Sequence, residues 1–85
     1  MRYKKKPIIV DAVRWTGKNT PEVIRFCPFT VRIFDGRKIS HLLIPTLEGN
    51  RPVQKGNWII KDIIKGEFYP CKPDIFATTY ERTFL

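Results

Sequence analysis

Few residues in this chain are spaced for covalent chemistry. His41 is the single histidine, and Ser40 precedes it. A nucleophile needs its base within hydrogen-bond reach. Neighbours on a strand project to opposite faces, so this pair reads as a strand serine beside a half-buried histidine. Cys27, His41 and Cys71 are metal-capable side chains, but no CxxC or HxxxH spacing joins any two of them. Each cysteine reads as a small buried hydrophobe. Gly17, Gly36, Gly49, Gly56 and Gly66 stand alone; each marks a turn, and none builds a phosphate-cradling loop. Glu67 and Asp74 could share acid–base work around a substrate, although an ion pair with Lys72 or Arg14 is the simpler account. The expectation is a protein that is not an enzyme, with no catalytic residue, metal or cofactor.

Binding chemistry is better represented. In the run Glu67-Phe68-Tyr69-Pro70-Cys71-Lys72-Pro73-Asp74, two prolines bracket Cys71 and stiffen the chain. A stiff segment presents Tyr69, Lys72 and Asp74 in a fixed arrangement and lowers the ordering cost of binding. It leads into a helix start, whose free N–H groups attract anions; Pro73 and Asp74 also serve simply to begin a helix. The second candidate is Arg14-Trp15, where Arg14 can take a phosphate bidentately and Trp15 can stack on a base. The core is the competing place for Trp15. Trp58, which shares a strand face with Ile60 and Ile64, is read as core. The candidate ligand-binding set is Arg14, Trp15, Tyr69, Lys72 and Asp74.

Charge narrows the partner. Sixteen Lys and Arg stand against eight Asp and Glu, a net charge of +8, which favours phosphates by attraction and counterion release. Apart from Lys4-Lys5-Lys6 the cations are spread, at Arg25, Arg32, Arg37, Lys38, Arg51, Lys55, Lys61 and Lys65. The chain lacks the stacked-aromatic pattern of an RNA-recognition sheet and a long basic helix. Apolar runs of two to four residues are too short to span a membrane, and no apolar signal core follows the charged start. Two cysteines without paired spacing point to reduced thiols. Together these features lead to a cytoplasmic expectation.

The elements that must position these groups follow from local signals. A chain of 85 residues is one domain, 1–85, with residues 1–6 as a basic arm. It buries only about 60–65% of its unfolded surface, so an oligomer would add to a thin core. A first strand over 8–15 is apolar on both faces and is expected at the centre of its sheet. Thr20 as cap, Pro21 and Glu22 begin a short helix that Pro28 ends. Residues 29–34 alternate, Asp35-Gly36 signals a hairpin, and residues 38–44 return until Pro45 limits the strand. A turn at 48–50 precedes a short edge strand at 52–54. Strands follow over 58–64 and 67–71, joined at Lys65-Gly66. A helix runs from Pro73 to about Tyr80, and the tail 81–85 adds a strand or frays. The expected fold is α+β, with a curved, mainly antiparallel sheet, a partly closed barrel as its limiting form, and two short helices.

Two stretches carry a resemblance. The first is Lys5-Lys6-Pro7-Ile8-Ile9-Val10-Asp11-Ala12-Val13-Arg14-Trp15-Thr16-Gly17-Lys18-Asn19. The second is Gly56-Asn57-Trp58-Ile59-Ile60-Lys61 with Lys65-Gly66-Glu67-Phe68-Tyr69-Pro70-Cys71-Lys72-Pro73-Asp74-Ile75-Phe76 and Thr79-Tyr80-Glu81. Together, over roughly half the chain, they resemble a family of short uncharacterised proteins of bacteriophages and prophages. The family usually has Asp where this chain has Asn57, and a short turn amide can replace that carboxylate. The resemblance implies a phage origin and no known activity. By analogy of setting it implies counter-defence. The expected function is sequestration of a nucleotide-type immune signal in a basic, aromatic pocket between subunits of a homo-oligomer. Direct inhibition of a host defence protein and non-specific nucleic-acid binding are the alternatives.

Overall fold

The computed structural model describes residues 1–4 and 8–83. Lys5 and Lys6 of the expected arm, Pro7, and Phe84 and Leu85 of the tail lie outside the described residues. The chain is an α+β fold of two antiparallel three-stranded sheets and two short helices. The elements are β1 (Val10–Arg14), α1 (Thr20–Phe26), β2 (Val31–Asp35), β3 (Lys38–Thr46), β4 (Gly49–Val53), β5 (Trp58–Asp62), β6 (Phe68–Cys71) and α2 (Pro73–Thr79). One sheet has the order β1-β5-β6, and the other is the meander β2-β3-β4, inserted between β1 and β5.

The single curved sheet expected from sequence is therefore two sheets, and neither closes into a barrel. β6 lies against β3 and β4 without a hydrogen-bonded ladder between them. The edge strands β6 and β4 carry Pro70 and Pro52, which have no N–H to offer a continuing ladder. β1 is also an edge strand and not the expected central one, and Ile8 and Ile9 before it are exposed. The centre belongs to β5.

Local signals explain most boundaries. Pro21 and the acidic Glu22 occupy the first turn of α1. Thr20 is its first residue, and Asn19 takes the cap position. Asn19 works as a staple: its Oδ1 accepts from the Thr16 N–H at 2.9 Å, and its Nδ2 donates to the Arg14 carbonyl and to Glu22, each at 2.7 Å. The first hairpin turns at Gly36-Arg37, with Asp35 opposite Lys38. Gly36 has φ +65°, as the first central position of a type II′ turn requires. β3 continues through Pro45 to Thr46, and β4 starts at Gly49, longer than expected at both ends of this hairpin. β5 stops at Asp62, whose Oδ1 accepts from the amides of Ile64 and Lys65. That side-chain-closed turn leaves Ile64 87% exposed, outside the strand.

The core lies between the two sheets and α1. Trp15, Val23, Cys27, Leu42, Ile44, Val53 and Ile59 are all fully buried there, with Val13, Phe26, Ile39 and Phe68 packed against them. Helix α2 covers the opposite face of the β1-β5-β6 sheet, where Ile60 is also fully buried. No helix among the described residues is long and apolar enough to cross a membrane.

Candidate ligand-binding surface at the start of helix α2

Opposed residues of an antiparallel pair share a face. Arg14, Trp58 and Cys71 therefore form one row across β1, β5 and β6, on the face covered by α2. Arg14 is exposed, and its Nε donates to the Gly56 carbonyl at 3.0 Å. Its terminal guanidinium nitrogens have no partner among the described residues. Gly56 is third in a turn closed by the Asn57 amide donating to the Gln54 carbonyl at 3.0 Å. Its φ of +91° is the left-handed geometry that position demands in a type II turn. A Cβ there would lie 3.6 Å from Arg14 Nη2 and 3.9 Å from Pro73 Cγ. Gly56 thus sits between the Arg14 fork and the first residue of α2.

Lys72 and Asp74 are exposed beside this point, Lys72 at the cap position of α2 and Asp74 in its first turn. The structure thus gathers Arg14, Lys72 and Asp74 around the Gly56–Pro73 contact. Tyr69 lies further along β6, opposite Ile60. Its hydroxyl is 3.2 Å from that of Tyr80. Burial, and then the Tyr80 hydroxyl, push its ionisation far above neutral pH, so the phenol stays protonated.

Trp15 belongs elsewhere. It is 0% exposed and points into the main core, where its Nε1 donates to Thr20 Oγ1 at 3.1 Å. No ring face is open, so the stacking role expected for Trp15 is withdrawn in favour of the core. The aromatic side chain next to Arg14 is Trp58. It is half-buried, not the full core residue expected. Its ring stacks on Phe76 at 4.0 Å and 10°, and Phe76 stacks on Tyr80 at 5.2 Å. Sequence reasoning placed Trp58 with Ile60 and Ile64. The missed signal was Asp62, which ends the strand before Ile64, together with the i, i+4 pair of Phe76 on α2 and Tyr80 at its C-cap.

Ser40 and His41 do meet, contrary to expectation: Ser40 Oγ is 3.1 Å from His41 Nδ1. The register of β2 and β3 shifts here, Ile33 facing His41 and Phe34 facing Ile39, which leaves Ser40 as the extra residue of a bulge. A bulge interrupts strict alternation, and the two side chains turn to one side. No carboxylate among the described residues bonds the imidazole to orient it. Cys27 is buried, and burial pushes its thiol pKa up; the Cys71 thiol shifts the same way, from burial and then the Asp74 charge. Neither is an activated nucleophile. No group of three His, Cys, Asp or Glu among the described residues is placed to hold a metal.

Tyr69 and Glu67 also line an open cleft of about 430 Å³ between β6 and the β3–β4 turn. There Arg51 is paired with Glu48, so its positive charge is already answered. No protein-family model, curated protein or solved structure matches this chain.

Proposed function

We propose that this chain is a small phage-encoded binding protein of the counter-defence kind, which holds a nucleotide-derived signal and does not transform it. The observation that carries this reading is the Arg14 guanidinium, anchored through Nε on Gly56 with its other nitrogens open. A guanidinium held this way loses little freedom when it takes a phosphate, and phosphate recognition by Arg is bidentate. Lys72 adds a second exposed cation, Trp58 an aromatic surface, and Asp74 an acceptor for a ribose or base donor. A net charge of +8 draws anions to all of them. The open position of Arg14, Lys72 and Asp74 suits a pocket completed by a second copy of the chain.

Thermal unfolding against a panel of linear and cyclic nucleotides tests the reading. A ligand at 100 times its dissociation constant adds about 2.7 kcal/mol, a rise of roughly 10–20 °C for a domain of this size. Arg14→Ala and Lys72→Ala should each abolish the shift without unfolding the free protein. A shift that survives both removes this site.

A second reading has its own observation. The outer face of the β2-β3-β4 sheet carries Val31, Ile33, Leu43 and Pro52, with no element among the described residues packed closely over it. Such a face suits direct capture of a host defence protein. That reading predicts a stable heteromeric complex from infected cells and no response to any nucleotide.

A further inference from the structure

The tip of the first hairpin and the start of α1 enclose a second cleft, of about 400 Å³, whose lining is mostly apolar but carries two arginines. Arg32, Phe34, Arg37 and Ile39 of the hairpin line it together with Thr20 and Pro21 of α1. Arg32 and Phe34 are two residues apart on β2, so they project to the same face about 7 Å apart along the strand. Arg37 lies beyond Phe34, in the turn. Chain order thus places Phe34 between the two arginines that line the cleft. Phe34 is 57% exposed, an unusual position for a phenylalanine on a core-facing side. Neither arginine has a hydrogen-bond or ion-pair partner among the described residues, and no carboxylate lines the cleft.

From this we infer that the cleft binds single-stranded nucleic acid, one base lying on Phe34 and its two flanking phosphates on Arg32 and Arg37. A nucleotide phosphorylated only at its 5′ carbon carries phosphate on one side of its sugar, whereas each internal nucleotide of a strand is flanked by phosphate on both, which matches this cation–aromatic–cation order. Stacking on an aromatic side chain within a basic groove is how sequence-tolerant single-strand binding works. The inference concerns a different face from the Arg14 surface and does not depend on it.

Fluorescence anisotropy of a labelled oligothymidine of about ten nucleotides, titrated over a salt series with duplex of the same length beside it, tests this on the full chain. Wild type should bind the single strand more tightly than duplex. Phe34→Ala and Phe34→Leu should each weaken single-strand binding at least about five-fold without changing the salt slope. Arg32→Ala with Arg37→Ala should lower the slope of log affinity against log salt by about 1.4. The control pair Arg25→Ala with Lys65→Ala removes equal charge elsewhere and should leave the slope unchanged. If the control pair acts as strongly as the cleft pair, if both Phe34 variants bind like wild type, or if wild type does not bind, the inference is overturned. Arg14→Ala with Lys72→Ala should affect the oligonucleotide no more than the control pair, so this cleft and the nucleotide site can fail separately.

Discussion

In β5 two consecutive residues, Ile59 and Ile60, are both fully buried. In β3 burial alternates: Leu42 and Ile44 are fully buried, while Leu43 between them is not. Successive strand residues face opposite ways, so the β1-β5-β6 sheet is covered on both sides and the β2-β3-β4 sheet on one. The two tryptophans lie on opposite faces of the covered sheet, Trp58 within β5 and Trp15 directly after β1. Trp15 anchors the main core, and Trp58 anchors α2 through Phe76. The difference teaches that a chain this small builds one sheet into its framework and leaves the other with an apolar surface to spare.

Three substitution sets break or sharpen that contrast. The largest effect should come from the two tryptophans. Trp15→Ala empties the main core and should cost about 3–5 kcal/mol, measured by urea unfolding. Trp58→Phe keeps an aromatic partner for Phe76 and should cost less than about 1.5 kcal/mol. Equal costs would mean that the two faces of this sheet contribute alike.

The next effect compares the sheets directly. Ile60→Ala should cost about 2–5 kcal/mol, and Leu43→Ala about half as much, because its side chain starts half-buried. A Leu43 loss as large as that of Ile60, growing with protein concentration, would show that a second copy covers the outer face of the β2-β3-β4 sheet in solution.

The smallest effect is at the end of β5. The Lys65 amide and then the Ile64 amide hold the Asp62 carboxylate below its ordinary pKa. A carboxyl depressed in the folded state stabilises it fully above the unfolded pKa of about 4 and loses that contribution as pH falls through the folded value. The stability difference between wild type and Asp62→Asn, followed by thermal unfolding, should therefore be constant from neutral pH down to about 4 and shrink below it. A difference that persists at the acid end would assign the turn's strength to shape and not to charge.

Much of this was legible in the residues. The two prolines at helix starts, the Gly36 hairpin and the alternation in residues 29–34 located both helices and most strands, because each signal is local. The placing of Arg14 beside Lys72 and Asp74 was not legible, because it needs β1 and β6 to flank β5 and the first strand was expected at the centre. Sequence reasoning failed where burial depended on what lies above a strand. An apolar stretch on both faces made β1 look central, yet its outer residues Ile8 and Ile9 are exposed and the centre fell to β5. Trp15 and Trp58 are chemically alike, and nothing beside them in the chain says which one is sealed.

The sequence by itself determined the class of this protein: a basic α+β domain of short antiparallel strands. Those properties follow from composition and from contacts within a few residues. The split into two sheets, the sealing of Trp15 in the core and the half-burial of Trp58 beneath Phe76 were decided by tertiary structure. Each depends on residues far apart in the chain meeting across a core, and the free energy of that meeting is set by packing, which no local pattern encodes.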